Sequence, residues 1–213
     1  MTDTTATRST GLTARGARTR ERIIEVTATL VFRRGAAGTS LDEVMAEAAV
    51  SKSQLYHYFA DKDDLLRAVI DRQTSRILEA QRAQLDDLDS IEGLRRWRDL
   101  VVATQEAAGW VGGCPLGSLA NELADRDENT RGVLDSSFGR WEARLADGLA
   151  AMRADGQLVS EADPAALAEA LIAALQGGLL LAKTRRTARP LARALDMAIA
   201  HINTLTPSGR RHG

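Results

Sequence analysis

The sequence predicts an all-α fold, with short helices near the N-terminus and longer amphipathic helices after them. Three observations carry this. There are four prolines in 213 residues. Ala, Leu, Arg and Glu are abundant, and these are strong helix formers. Apolar positions recur at helical spacing in segment after segment, and β-branched runs are few. With 44% apolar and 27% charged residues the chain has an ordinary globular composition.

Bulk charge excludes some functions and leaves others open. The net charge is −1, so the chain is no uniformly basic coat for nucleic acid, but a local basic patch remains possible. The lone Cys114 cannot form an internal disulfide, which fits a reducing cytoplasm. The polar N-terminal twenty residues lack the apolar core of a secretory signal. No run of about 18 consecutive apolar residues occurs, because Glu169 and Gln176 interrupt the most apolar stretch. The expectation is a soluble, cytoplasmic protein with no membrane partner.

Residues 1–17 show no periodicity and read as a disordered arm. Arg8, Arg15, Arg18 and Arg20 against Asp3 make its start locally basic, which suits a solvated tail or an arm lying along phosphates. The first helix is expected from Arg18 to Arg34, with Ile23, Val26, Leu30 and Val31 inward and Gly35 as its stop. Ser40 followed by Glu43 is a capping-box pattern that starts a short second helix, with Leu41, Val44 and Ala48 inward. Ser51 followed by Gln54 repeats it about ten residues later. Two capped helices joined by a tight turn describe a helix-turn-helix, so residues 18–66 form one domain. A fourth helix opens at Asp61 and runs to about Leu85. Residues 67–206 form the second domain, with helices near 90–108, 116–125, 129–154, 163–184 and 189–205. Gly112, Gly113 and Pro115 break the first pair, and Asp163-Pro164 and Arg189-Pro190 mark later starts. Residues 207–213 are a tail.

The third helix carries the chemistry. Leu55 and Tyr58 or Phe59 share an inward face, leaving Lys52, Ser53, Gln54, Tyr56 and His57 outward. That mix suits a DNA major groove: Lys reaches phosphate or guanine, Gln pairs with adenine, and hydroxyls hold phosphates. The helix N-terminus adds a positive pole, and Lys62 is placed for a further phosphate. By itself the pattern also fits a capped surface helix with mixed polar residues.

Residues 18 to about 68 resemble the DNA-binding domain of TetR-family bacterial transcriptional repressors. The resemblance rests on Ile23-Ile24, Phe32, Gly35, Thr39 to Val44, Ala48, Val50-Ser51-Lys52, Leu55 to Phe59, Lys62 and Leu65-Leu66. One departure is Ala49, where the family usually has glycine; a left-handed backbone there would cost roughly 1 kcal/mol. The resemblance implies a homodimer on a palindromic double-stranded DNA operator, with the third helix in the major groove. It carries over Thr39, Ser40, Lys52, Ser53, Gln54, Tyr56, His57 and Lys62 as DNA contacts. Lys52, Ser53 and Gln54 would read bases, and Tyr56, His57 and Lys62 would hold phosphates.

The last two helices are unusually apolar. Leu167, Leu171, Ala174, Leu175 and Gly178 on one, and Leu191, Leu195, Ala198 and Ile202 on the other, are the expected dimer interface; the family's usual dimer is a four-helix interface of this kind. The alternative is that both helices are internal core. Trp97, Trp110, Trp141 and Phe138 cluster between the chain ends although aromatics are only 4% of residues. With Gln105, Asn121, Gln176 and Cys114 they are the expected pocket for a small apolar or aromatic inducer, each aromatic being open to a plain core reading too. The second domain is thus a ligand-binding and dimerisation domain. Gly113 to Leu123, containing Gly-Cys-Pro-Leu-Gly, is also similar to a motif of the LmrA-like TetR subgroup, which includes repressors of multidrug efflux genes.

Cys114 has no adjacent His or Asp, and His57, His201 and His212 lack metal-ligand spacing. No nucleophile–base pair or Gly-rich phosphate loop is present, so the expectation is no enzyme, no metal and no cofactor. Two readings compete: a ligand-released repressor, and a DNA-binding regulator whose second domain serves only dimerisation or partner binding.

Overall fold

In the computed structural model, described for residues 13–207, every regular element is a helix. Contacts divide the chain into two units inside the fourth helix, between Val69 and Ile70.

The first unit is built on α1 (Ala14–Arg34), α2 (Leu41–Glu47), α3 (Lys52–Tyr58) and the start of α4 (Lys62–Asp86). Helix α1 begins at Ala14, four residues before the expected Arg18. The reason is a cap inside a stretch that lacks apolar periodicity: the Thr13 hydroxyl accepts from the Gly16 N–H at 3.1 Å. The rest of the expected arm, residues 1–12, and the tail from 208 lie outside the described residues. Helix α1 buries Ile23, Ile24, Thr27, Ala28, Leu30 and Val31, while Val26 is only half-buried. It stops at Gly35, whose φ of 75° lies in the left-handed region that glycine tolerates. Val44, Ala48, Leu55, Phe59, Leu65 and Leu66 complete the unit's core.

The second unit comprises the rest of α4 with α5 (Ile91–Ala107), α6 (Pro115–Leu123), α7 (Glu128–Ala154), α8 (Pro164–Arg185) and α9 (Arg189–Thr204). Side chains of Ser90, Asp127 and Asp163 cap α5, α7 and α8. Trp97 and Trp141 both donate their indole N–H to the Gln81 side-chain oxygen, at 2.8 and 3.1 Å. One amide thereby ties α5 and α7 to α4. Arg140 and Arg144 on α7 add ion pairs to Asp71 and Asp86. Gly148 lets α7 pass close to the α4–α5 turn; a β-carbon there would stand 2.2 Å from the Leu88 carbonyl oxygen. Helix α8 packs against both α7 and α9. That packing accounts for the buried part of α8, a helix that by length and apolarity alone would suffice to cross a membrane.

Candidate nucleic-acid interface and effector groove

The helix-turn-helix is held by local hydrogen bonds that its sequence encodes. In α2 the Glu43 N–H donates to the Ser40 hydroxyl at 3.2 Å, and the Ser40 N–H donates to the Glu43 carboxylate at 3.1 Å. In α3 the Gln54 N–H donates to the Ser51 hydroxyl at 3.2 Å, and the Ser51 N–H donates to the Gln54 side-chain oxygen at 2.9 Å. Asp61 caps α4 by accepting from the Asp64 N–H at 2.7 Å. Between α2 and α3, Ala49 takes φ of 49°, so this alanine does occupy a left-handed position.

These caps leave α3 with a divided surface. Leu55 and the adjoining Phe59 are buried, whereas Lys52, Ser53, Gln54, Tyr56 and His57 are exposed. The His57 and Tyr58 rings meet edge-to-face at 4.8 Å. Lys62 is half-buried at the first position of α4. Two expected contacts need correction. Thr39 is buried and its hydroxyl donates to the Gly35 carbonyl at 2.9 Å, so its side chain finishes α1 and offers nothing outward. The Gln54 oxygen is engaged in the cap, so bidentate pairing with adenine, which needs both ends of the amide, would break the capping box. Its amide nitrogen remains available. Ser40 is exposed, but its hydroxyl is shared with Glu43.

Sequence reading missed the residues that brace this surface. Arg22 reaches from α1 to the Ala48 carbonyl at 2.9 Å, and the Arg20 guanidinium lies 5.2 Å over the Phe59 ring. Their partners lie 26 and 39 positions away, so no local pattern could reveal them. Arg34 pairs with Glu43, whose carboxyl is held below the usual range, first by the Ser40 N–H and hydroxyl and then by Arg34.

In the second unit the expected pocket residues separate into three places. Trp97 and Trp141 are buried core, 0% and 3% exposed. They fill the helix interior because Gln81 satisfies both indole N–H groups there. Gln105 and Trp110 lie at the end of α5, where Trp110 takes φ of 60° and its carbonyl accepts from Arg186. Cys114, Asn121, Phe138 and Gln176 do come together, lining an open groove of about 340 Å³ among α6, α7 and α8 with Ser118 and Lys183. The Gly-Cys-Pro-Leu-Gly run builds one wall. Cys114 caps α6 by accepting from the Gly117 N–H at 3.3 Å, Pro115 opens the helix, and the Gln176 amide donates to the same sulfur at 3.5 Å. Burial pushes the Cys114 thiol above its ordinary pKa against these hydrogen bonds, which keeps it a neutral structural group.

The expected dimer residues are also corrected. Leu167, Leu171, Leu175, Gly178, Leu191, Leu195 and Ile202 are buried within the subunit, and Ala174 and Ala198 are half-buried. A β-carbon on Gly178 would sit 2.9 Å from the Leu191 backbone, so this face joins α8 to α9. The faces left open carry Ala166, Ala170, Ala173, Gly177, Leu180 and Leu181 on α8, and Met197 and Ala200 on α9.

A doubly capped helix-turn-helix with an exposed polar α3, followed by a helical second unit, defines a DNA-binding regulator. Residues 23–69 match the bacterial regulatory proteins of the tetR family, and residues 90–197 match the C-terminal domain of LmrA/YxaF-like transcriptional regulators. The chain is 31% identical over 138 residues to an HTH-type regulator in the lacX 3′ region of Lactococcus lactis, covering 63% of this chain and 69% of that one. It is 29% identical over 195 residues to the Escherichia coli K12 repressor NemR, covering 88% and 93%. A TetR regulator from Chloroflexus aurantiacus superposes with a TM-score of 0.78 at 26% identity, over 91% of this chain and 98% of the other. The reduced form of Escherichia coli NemR superposes at 0.70 and 26%, over 89% and 97%. The protein belongs to the TetR family of transcriptional regulators, with an LmrA/YxaF-like second domain, and is not an enzyme.

Proposed function

We propose that the protein is a cytoplasmic, homodimeric repressor that binds a palindromic operator and is released by a small, largely apolar or aromatic inducer. The carrying observation is the divided surface of α3, with Leu55 and Phe59 buried and Lys52, Ser53, Tyr56 and His57 exposed. Lys52 and Ser53 read base edges, with the free nitrogen of Gln54, while Tyr56, His57 and Lys62 hold phosphates. The first unit is the DNA-binding domain and the second serves ligand binding and dimerisation. Two-fold symmetry would set the recognition helices about 34–36 Å apart, one turn of duplex. The apolar α8 is explained by a protein interface rather than a bilayer, and that interface uses the open α8 and α9 faces.

The inducer would sit in the α6–α7–α8 groove, with Phe138 as an aromatic wall and Asn121 and Gln176 as polar contacts. Helix α4 continues unbroken from one unit into the other and is the lever. An inducer preferring the released form by several kcal/mol shifts the population away from the operator-bound one. A second reading, a regulator without a small ligand, draws support from Trp97 and Trp141, which are buried as core and do not line the α6–α7–α8 groove. Selection of duplexes from a random pool with the purified protein tests the main reading. It should recover a palindrome whose half-sites lie about one helical turn apart; recovery of no symmetric sequence would sink it. Aromatic compounds that raise the melting temperature should also weaken binding to the selected duplex. Binding without that loss would leave the second reading.

A further inference from the structure

Both glycines of the Gly-Cys-Pro-Leu-Gly run have their reasons in another helix. A β-carbon on Gly117 would stand 2.5 Å from the Gln176 side-chain oxygen. Glycine inside a helix weakens it relative to alanine; what Gly117 supplies in return is room for the Gln176 amide. The nitrogen of that amide donates to the Cys114 sulfur at 3.5 Å, so both of its ends are seated against α6 and its cap. Gly113, with φ of 75°, lies under the stem of Lys183, where a β-carbon would meet the Lys183 δ-carbon at 3.4 Å. Gln176 and Lys183 stand about 10 Å apart along the α8 axis. Their side chains nonetheless rest on adjacent residues, Cys114 and Gly113.

Both side chains line the groove among α6, α7 and α8, with Ser118, Asn121, Phe138 and Leu180. Among the described residues Lys183 has no ion pair, and no other charged side chain lines this groove. A cation in the last turn of a helix is favourable in itself. That accounts for the charge of Lys183 and not for its seat beside Gln176. The groove is thus apolar along Phe138 and Leu180, and near the α6 cap it sets an ammonium beside an amide with no carboxylate to neutralise it. The Gln176 nitrogen carries a second hydrogen, and a thiol is a weak acceptor for the first. A carboxylate between Lys183 and Gln176 would accept from both, and charge-assisted bonds of this kind are stronger than neutral ones. A volume of about 340 Å³ is at the small end of ligand pockets, which limits the occupant to one or two rings.

We propose that this groove takes a one- or two-ring aromatic carboxylate, with its ring on Phe138 and its carboxylate between the Lys183 ammonium and the Gln176 amide. This rests on the inducer reading and names the class of inducer. Lys183 selects the anion over a neutral analogue of the same shape. Gly113, Cys114 and Gly117 are positioning residues that hold the two donors side by side.

Calorimetric titration of the full-length protein with 2-naphthoate and its uncharged counterpart 2-naphthamide tests the proposal. Wild type should bind 2-naphthoate about five-fold more tightly, and added salt should shrink the difference. Lys183→Met keeps a stem over Gly113 and removes the charge. It should lower 2-naphthoate affinity to that of 2-naphthamide and leave 2-naphthamide binding as in wild type. Gly117→Ala, which forces a methyl group onto the Gln176 amide, should also weaken 2-naphthoate. No binding of 2-naphthoate, equal affinity for the two compounds, or a Lys183→Met variant that keeps the preference would overturn the proposal. If 2-naphthoate binds as described and affinity for the selected duplex stays the same, the carboxylate site stands and the inducer reading falls. If 2-naphthamide alone binds and weakens duplex binding, the inducer reading stands and the carboxylate site falls.

Discussion

The two units are stabilised by different means. Helices α2 and α3 have seven residues each, too few to persist in isolation. Each buries one residue within its span, Val44 or Leu55. Both have reciprocal side-chain caps, which no other described helix shows. Helices α7 and α8, with 27 and 22 residues, rely on long buried faces, and the Gln81 amide ties α7 and α5 to α4. A reading head must leave most of its side chains free for DNA, so its order comes from its ends. The second unit can spend its side chains on packing, and there the order comes from the middle.

The strongest way to break that contrast is to hollow the second unit. Trp97→Ala should cost about 3–5 kcal/mol in chemical denaturation, far more than any cap removal in the first unit. Gln81→Leu should come next. It leaves two buried indole N–H groups unpaired, at about 1–3 kcal/mol each, and a loss below that range would mean water satisfies them. In the first unit, Ser51→Ala should cost about 1 kcal/mol, and hydrogen exchange should show the loss first in α3.

Ala49→Gly should act in the opposite direction, stabilising the turn by up to about 1 kcal/mol, because φ of 49° strains an alanine. An unchanged denaturation midpoint would argue against that strain. The smallest effect is electrostatic. Glu43 has its pKa lowered in the folded state, so its contribution is present above its unfolded value, near 4.5. It should fade as pH falls below that value. Ser40→Ala, which removes the hydroxyl shared with Glu43, should flatten the dependence; a pH profile that ignores the substitution would contradict it.

The same contrast explains what could be read from the sequence. Ser40, Glu43, Ser51, Gln54 and Asp61 announce their helices because capping acts over three residues. Ala49 was legible as a strained position only through the family resemblance, because the family usually has glycine there. Thr39 was not legible as buried, because its burial depends on how α1 ends at Gly35. In the second unit the helices were legible but the faces were not. Leu171 and Leu180 are alike in type, yet α9 and α7 bury one and leave the other open. Trp97 and Phe138 are both aromatic, and only the position of Gln81 on α4 makes the first core while the second lines a groove. Helical period marks which residues share a face; it does not say which neighbour that face meets.

The central claim is that α3 and the start of α4 hold DNA through named side chains. It is tested most directly by measuring affinity for the selected duplex across a range of salt for wild type, Tyr56→Ala and Lys62→Ala. Both variants should bind more weakly with their fold intact, and Lys62→Ala should also reduce the slope of log affinity against log salt by about one, the signature of one lost phosphate contact. Affinities and slopes equal to wild type in both variants would contradict the account.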